Sequence, residues 1–284
     1  PQRAYFAMNW REEEAAILFF VLQRRMRDKG AQKPPLGTGS SYWHSAKYSK
    51  KQRQAKMDKL KGKKVLVFGD SIMFGSGNGG FGVGEYLEKD LGMQCLKYAI
   101  GGARIGFKEG KSWVPEQIIK ALGEGAEADY IVFDGFTNDC NISEGATEPD
   151  VPLGEIPAGY GCPDVYALER EGSEFSPCFQ SVIYTLLSRF PKAKILFIRP
   201  HNMGRRDDKL QRLYGERAIE ICKKWGVPYV DLYSVSGMNT FIPLHRDLFT
   251  SDSYGWGRGD CTHPNAAGYE LKYMPLIESA LARL

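Results

Sequence analysis

The sequence predicts an α/β domain with a parallel sheet over residues 61–284, because strand-like and helix-like segments alternate there. Apolar runs typical of buried strands occur at residues 64–69, 94–100, 130–135, 194–199 and 227–232. Helical patterns lie between and after them, at residues 82–91, 113–122, 178–190, 207–225 and 266–282. Strand–helix–strand passages of this kind make right-handed crossovers, so we expect parallel strands with helices on both faces of the sheet.

Residues 1–60 predict a separate N-terminal extension, made of one helix and a basic linker. The helix is expected over residues 10–29, with glutamates near its start and arginines near its end, where each charge opposes the helix dipole. Pro34 and Pro35 then break the pattern. The apolar centre of the helix, residues 15–22, is a candidate contact between copies of the chain, so a homo-oligomer is one hypothesis.

Charge and composition argue against several classes of function. Residues 47–64 carry a net charge of +8, so the remainder carries −4 of the total +4. The remainder therefore lacks the basic surface that binds nucleic acid or membranes, and the basic stretch predicts a solvated connector, with polyanion binding as the alternative. The longest uncharged apolar run, residues 15–22, is shorter than the roughly 20 residues that span a bilayer. Since no basic-then-apolar leader is visible, the expected location is the cytoplasm.

Six cysteines are scattered without the spacing of a metal site. They are Cys95, Cys140, Cys162, Cys178, Cys222 and Cys261. Because no C-x-x-C motif is present, a structural zinc site is not expected. Cys162 and Cys178 flank a loop and could pair in an oxidising compartment, but reduced thiols are the simpler expectation.

The stretch VLVFGDSIMFGSGNGG, residues 65–80, contains two competing signals. Gly77, Gly79 and Gly82 have the G-x-G-x-x-G spacing of a dinucleotide-binding loop. In that fold, however, the glycines follow the strand directly, whereas Gly69–Asp70–Ser71 takes that place here. The context therefore favours a serine nucleophile over a phosphate cradle.

Three further motifs follow predicted strands or precede the last helix. They are AIGGA at 99–103, GFTND at 135–139 and GDCTHPN at 259–265. Each alone has an ordinary explanation as a turn or a helix cap. Because the carboxyl ends of parallel strands open onto one crevice, we expect all three motifs to meet the serine there. The polar segment from 140 to 174 is too long for an ordinary connection and predicts a functional insertion beside this site.

Taken together, FGDSI, AIGGA, GFTND and DCTHPN resemble the four sequence blocks of the SGNH (GDSL-type) hydrolase family of esterases and lipases, over residues 63–284. The resemblance implies a flavodoxin-like, three-layer α/β/α fold with a five-stranded parallel sheet. It also implies a site without metal or organic cofactor, in which Ser71 is the nucleophile, Asp260 and His263 complete the catalytic set, and Ser71, Gly102 and Asn138 form the oxyanion hole. The second block departs from the family, since many members place an asparagine where Lys97 and Tyr98 stand here.

These positions predict a serine esterase. A serine hydroxyl needs a base to remove its proton, which His263 would supply while Asp260 fixes the tautomer of the imidazole. The residues expected to contact substrate are Asp70, Phe136, Trp256, Arg258 and His201, and the rim of the site would also carry Trp113, Tyr160 and Tyr254. For His201, a structural hydrogen bond is the favoured alternative.

Aromatic rings beside polar groups suit a sugar better than a long acyl chain, and each ring could equally be a packing residue. The expected substrate, and the only expected partner apart from a second copy, is therefore a short-chain O-acyl ester, with an acetylated carbohydrate or glycoside favoured. Lysophospholipase, thioesterase and acyltransferase activities remain open, as does a non-catalytic carbohydrate-binding module on the same fold.

Overall fold

The computed structural model describes residue 55 and residues 58–284. Within them, five strands form one sheet in the order β2-β1-β3-β4-β5, and every neighbouring pair is parallel. The strands are β1 Lys64–Phe68, β2 Gln94–Lys97, β3 Tyr130–Phe133, β4 Lys194–Arg199 and β5 Tyr229–Asp231. This order is the flavodoxin-like one, so the fold predicted from the sequence is confirmed. The predicted N-terminal helix and its contact between copies lie outside the described residues.

Helices cover both faces of the sheet and confirm the predicted alternation. They are α1 Ser71–Phe74, α2 Val83–Leu91, α3 Val114–Gly123, α4 Phe175–Arg189, α5 Asp208–Trp225, α6 Leu232–Val235, α7 Pro243–Phe249, α8 Ala266–Gly268 and α9 Met274–Leu281. A π-helical turn, Tyr269–Tyr273, joins the last two and interrupts the continuous helix expected over 266–282. None of the helices in the described part of the chain is both long and apolar enough to cross a membrane.

The centre of the sheet is fully enclosed, which explains the continuous apolar runs of its strands. In β1, residues 65–68 have no exposed surface, and β3 is buried along its whole length. Sheets of parallel strands with helices on both faces are apolar on both sides for this reason. The central strands thus form a rigid platform whose carboxyl ends present three loops, 69–71, 134–139 and 200–207, at the same edge.

The segment between Cys140 and Glu174 packs back onto the domain. Its Asp150 side chain has no exposed surface and forms ion pairs with Arg104 and Lys108, each at 2.6 Å. The hydroxyl of Tyr214 on α5 donates a hydrogen bond to the carbonyl oxygen of Val151 at 2.5 Å. These contacts fix the insertion against both α5 and the turn that follows β2.

All six cysteines lie among the described residues and are free thiols. Cys178 lies 3.0 Å from the hydroxyl of Ser173 and does not pair with Cys162.

Candidate active site

A continuous chain of hydrogen bonds links three side chains at the carboxyl edge of the sheet. The hydroxyl oxygen of Ser71 lies 2.9 Å from Nε2 of His263. Nδ1 of the same ring lies 2.6 Å from Oδ2 of Asp260. Ser71 is the first residue of α1, directly after β1, whereas Asp260 and His263 stand on the loop before α8. The three residues predicted as a catalytic set are therefore brought together in the order that the resemblance implies.

The electrostatics of this chain fix the tautomer of the imidazole. Burial alone would raise the pKa of the Asp260 carboxyl, but hydrogen bonds from the ring and the backbone N–H of His263 outweigh it and lower the pKa to about 2. At neutral pH the carboxylate is ionised and accepts the proton on Nδ1. Nε2 then carries the free lone pair, and it faces the hydroxyl of Ser71.

The turn that carries Ser71 is held by two buried side chains. Gln117 of α3 accepts a hydrogen bond from the N–H of Gly69 and donates one to its carbonyl oxygen, both at 2.8 Å. Asp134, just after β3, accepts a hydrogen bond from the N–H of Asp70 at 2.9 Å. Gly69 has a φ of +135°, and a Cβ there would lie 2.0 Å from Oδ1 of Asp134, so only glycine fits.

Asp70 and Asp134 form a buried pair of carboxyl groups beneath this turn. Burial raises the pKa of both, and the neighbouring charge of Asp70 raises that of Asp134 further, well above its ordinary value. Two like charges this close together disfavour the ionisation of both carboxyl groups at once. Asp70 accepts a hydrogen bond from the N–H of Ile72 at 2.8 Å and thereby caps α1.

Gly102 and Asn138 lie in the loops after β2 and β3, at the same edge of the sheet as Ser71. Gly102 adopts a φ of +78° in the turn after β2 and is half-buried. The amide nitrogen of Asn138 donates a hydrogen bond to the carbonyl oxygen of Ala103 at 2.9 Å and a longer one to Oδ2 of Asp70 at 3.4 Å. Its amide oxygen lies 3.5 Å from Nη2 of Arg206. The side chain of Asn138 is therefore oriented from two directions.

A buried arginine connects Gly102 to the insertion. Nη1 of Arg104 donates to the carbonyl oxygen of Gly102 at 2.8 Å, and Nη2 donates to Asp150 at 2.6 Å. Burial would raise the pKa of Asp150, but hydrogen bonds from Lys108, Ser143, Arg104 and other groups outweigh it and lower the pKa. Asp150 of the insertion is thus the counter-ion of Arg104, the residue that hydrogen-bonds to the Gly102 turn.

Two non-glycine residues have a strained backbone, and both stand beside predicted site residues. Among the described residues, only Phe136 (φ +123°) and Cys261 (φ +67°) combine a side chain with a positive φ. Such conformations cost on the order of 1–3 kcal/mol each and persist only where surrounding contacts hold them. The carbonyl oxygen of Cys261 accepts a hydrogen bond from Thr240 at 2.7 Å, and its N–H donates to Thr250 at 3.2 Å.

The residues expected to contact substrate divide into exposed and enclosed ones. Trp256 is 48% exposed and Arg258 is exposed, both on the loop before Asp260. Asp70, Phe136 and His201 have at most 1% of their surface exposed, which corrects the expectation that they touch substrate. An enclosed side chain cannot reach a ligand in the crevice in this conformation.

Three other aromatic residues were expected on the rim, and only one of them lies there. The ring of Tyr254 is 6.4 Å from that of His263, centroid to centroid. Trp113 is buried and donates from its indole nitrogen to the carbonyl oxygen of Ile105 at 2.7 Å. Tyr160 packs against Trp225 at the end of α5, which leads into the amino end of β5 and so lies at the opposite edge of the sheet.

His201 belongs to a buried polar pair behind the site. Its Nδ1 lies 2.6 Å from the hydroxyl of Tyr273, which also accepts a hydrogen bond from the N–H of His201 at 3.2 Å. Burial lowers the pKa of the imidazole to about 3, so the ring is neutral at physiological pH. The structural alternative for His201 agrees with this placement.

The glycines beyond Ser71 serve close packing. A Cβ on Gly77 would lie 2.6–2.8 Å from the backbone oxygens of His263 and Pro264 and from the Cβ of His263. A Cβ on Gly82 would lie 2.3 Å from the carbonyl oxygen of Met73. The absence of a side chain at Gly77 therefore lets residues 76–78 approach the loop that carries His263. This packing role agrees with the interpretation of the stretch as the turn of a nucleophile.

Several residues that shape the site were not anticipated from the sequence: Arg104, Gln117, Asp134, Arg205, Arg206 and Tyr273. Asp134 had a signal, because it is the first charge after a fully apolar strand. Arg205 and Arg206 likewise follow β4 in a loop at the crevice edge. Gln117 and Tyr273 lie in helices, where one polar atom on a buried face gives little indication of its partner.

One protein family matches most of the chain, and several solved structures are similar to its fold. The profile of the GDSL-like Lipase/Acylhydrolase family matches residues 67–271. No curated protein sequence matches the chain. One crystal structure is similar with 28% identity and a TM-score of 0.59, covering 79% of this chain and 98% of its own. A Lactobacillus plantarum protein has 22% identity and a TM-score of 0.57, covering 79% and 96%. A GDSL-like lipase candidate from Bacteroides ovatus has 17% identity and a TM-score of 0.50, covering 79% and 100%. At 22% and 17% identity, the similarity to the last two structures establishes a shared fold and nothing further.

Replacement of Gly77 by alanine is expected to destabilise the protein by about 1–3 kcal/mol, because backbone atoms of the His263 loop must move to admit the new methyl group. Gly161→Ala is the matched control, since nothing lies within 4 Å of its Cβ and its φ is not positive. Urea denaturation of both variants measures the difference. Equal free energies of unfolding would contradict the packing role of Gly77.

The neutral state of His201 predicts a specific acid sensitivity. Its pKa falls from 6.5 to about 3 on folding, so the unfolded chain binds this proton first as the pH drops. Stability contributed by the neutral ring is therefore present above pH 6.5 and is lost as the pH falls towards 3. Between pH 6.5 and 4, the wild type should lose up to about 1.4 kcal/mol per pH unit more than His201→Gln. Chemical denaturation at several pH values tests this, and parallel pH profiles would refute it.

Proposed function

The chain belongs to the GDSL-like lipase/acylhydrolase family, and we propose that it is a serine esterase which removes short O-acyl groups from acetylated carbohydrates or glycosides. Family membership makes it a hydrolase of the esterase and lipase type. The proposal concerns the acyl group, the alcohol and the residues that act. The observation that carries it is the hydrogen-bonded chain from Ser71 through His263 to the ionised Asp260.

The reaction begins with attack on the ester carbonyl. Oγ of Ser71 forms the new bond to carbon while Nε2 of His263 takes its proton. Asp260 stays ionised and stabilises the imidazolium, as its low pKa requires. The imidazolium then protonates the leaving alkoxide, which yields the free alcohol and an acyl-serine. Water, deprotonated by the same nitrogen, hydrolyses this intermediate and restores Ser71.

Negative charge on the tetrahedral intermediate needs donors that are already in place. The N–H of Ser71 stands at the first position of α1, where a helix leaves its N–H groups without an intrahelical acceptor. The N–H of Gly102 and the amide of Asn138 complete the set, with the oxyanion replacing Asp70 as the acceptor of the longer Asn138 hydrogen bond. Arg104 and Arg206 orient these two residues before substrate arrives, so the donors need little reorganisation during the reaction.

Two exposed aromatic rings beside the site, Tyr254 and Trp256, favour a sugar as the alcohol part of the ester. The rings of Tyr254 and Trp256 stack with centroids 4.8 Å apart, and both side chains are 48% exposed. A flat aromatic face next to polar groups fits the apolar face of a sugar ring while its hydroxyls remain hydrogen-bonded.

Hydrolysis of p-nitrophenyl esters from acetate to decanoate tests the acyl preference. We expect activity that is highest on acetate, falls with chain length and is abolished in Ser71→Ala. Ser188→Ala is the control, because that hydroxyl bonds only to backbone carbonyls on α4. A maximum at long chains would indicate a lipid hydrolase, and full activity in Ser71→Ala would exclude the mechanism.

Removal of the Asn138 amide is expected to lower kcat by about 100- to 1000-fold with little change in KM, because the lost donor acts mainly in the transition state. Asn141→Ala is a matched control three residues away, since that amide donates to Asp150. Circular dichroism confirms folding of both variants. A loss confined to KM would contradict a role in binding the oxyanion.

A further inference from the structure

Among the described residues, three arginines beside the site form no ion pair with a carboxylate, whereas most of the other arginines do. The described residues contain eleven arginines, and seven of them form an ion pair with a carboxylate within 4.0 Å. Of the other four, Arg283 is at the C-terminus, and Arg205, Arg206 and Arg258 surround the candidate active site. This distribution is notable because residues 65–284 carry 29 acidic and 22 basic side chains, a net charge of −7.

Two of these arginines are attached to the aromatic wall. The guanidinium carbon of Arg205 lies 4.2 Å from the ring centroid of Tyr254 and 4.9 Å from that of Trp256. That of Arg258 lies 5.6 Å from the centroid of Trp256. Stacking on aromatic rings orients a guanidinium and leaves its N–H donors at the edges free to bind a ligand.

Arg206 is the third of these arginines, and its guanidinium lies beside Asn138. Its Nε donates to the carbonyl oxygen of Thr137 at 2.7 Å, and its Nη2 lies 3.5 Å from the amide oxygen of Asn138. Burial lowers the pKa of the guanidinium, although an arginine keeps its charge in proteins. Asp70 attracts this desolvated cation but forms no ion pair with it within 4.0 Å, and an anion in the crevice would offset more of the cost of burying the charge.

Neighbouring acidic residues are engaged elsewhere. Asp207 caps α5 by accepting a hydrogen bond from the N–H of Leu210 at 2.9 Å. Asp252 accepts hydrogen bonds from the N–H groups of Trp256 and Gly257, at 2.6 and 2.7 Å. Their carboxylates therefore shape the loops and do not neutralise the arginines.

We infer that the alcohol part of the ester carries an anionic group, a carboxylate or a phosphate on the sugar, which Arg205, Arg206 and Arg258 bind while the sugar ring packs against Trp256. This inference rests on the proposed esterase function and narrows its substrate class. The arginines lie beside His263 and Asn138, so they would hold an anion one sugar ring away from the ester under attack. Neutral acetylated sugars would bind more weakly because they leave the guanidinium groups unpaired.

Two matched pairs of substrates test the inference. Methyl tri-O-acetyl-glucuronide is compared with its methyl ester, which differs by one charge, and O-acetylated glucose 6-phosphate with O-acetylated glucose, by acetate release. We expect kcat/KM to be about tenfold or more higher for a charged member, and this preference to shrink as NaCl rises from 50 to 500 mM. The better of the two charged substrates identifies the anion as carboxylate or phosphate.

Variants assign the preference to the arginines. Arg205→Gln and Arg258→Gln should each reduce the charged-over-neutral preference by about three- to tenfold, through a lower kcat/KM on the charged member of each pair. Arg189→Gln should leave the preference unchanged, since its side chain pairs with Asp164 at the end of α4. Equal rates on both members of each pair, or variants that slow charged and neutral substrates alike, would overturn the inference.

A binding measurement separates failure of this inference from failure of the proposed function. Methyl glucuronide and methyl glucoside are titrated into Ser71→Ala and followed by NMR chemical shifts. Tighter binding of the glucuronide, weakened in Arg205→Gln, supports the anion site even if no ester is hydrolysed. Equal affinity for the two glycosides, with glucose 6-phosphate bound no more tightly than glucose, overturns the anion site even if p-nitrophenyl acetate is a good substrate.

Discussion

The hydrogen bonds that hold the Gly69–Ser71 turn are the constraint on which the rest of the site depends. Gln117 fixes both backbone polar groups of Gly69, and Asp134 fixes the N–H of Asp70. An unsatisfied buried donor costs about 1–3 kcal/mol, so the turn has no inexpensive alternative conformation. Its position determines where α1 begins, and hence where the hydroxyl of Ser71 meets His263.

The candidate nucleophile, Ser71, stands at the first position of a helix, and this position leaves its backbone N–H free to donate. A residue at the first position of a helix has an N–H without an intrahelical acceptor, and Asp70 caps the helix from the preceding position. The backbone N–H and the hydroxyl of Ser71 therefore come from one rigid element. Beneath them, burial and the charge of Asp70 raise the pKa of Asp134, so the pair resists carrying a second negative charge close to Ser71.

Much of the fold could be predicted because its signals are local. Runs of apolar residues between helical patterns specify buried parallel strands, and four glycine- or serine-containing motifs at strand ends specify a common edge. Helix α7 was not predicted: it is only seven residues long, and although Leu244 and Leu248 lie one turn apart, none of its residues is buried. The π-helical turn 269–273 also has no sequence signal at this level, since it depends on how Tyr269 and Tyr273 pack.

Assignment of side chains to the crevice was less successful, for a physical reason. A residue at the carboxyl end of a strand can point into the crevice or back into the core, and its sequence position is the same in both cases. Phe136 is buried and has a φ of +123°, a conformation that persists only where surrounding contacts hold it. His201 points inward because Tyr273 offers a partner seventy-two residues later. Both choices are set by tertiary contacts that the local sequence does not contain.

The insertion between Cys140 and Glu174 contacts the Gly102 turn through a buried ion pair. Asp150, Arg104 and the carbonyl oxygen of Gly102 form one buried chain, with 2.6 Å and 2.8 Å between successive partners. Removing the carboxylate would leave a buried cation against the Gly102 turn, and a buried ion pair loses about 3–5 kcal/mol when one partner is deleted. The length of this segment therefore has a structural purpose. It brings the carboxylate of Asp150 against Arg104, and this ion pair holds the Gly102 turn in place.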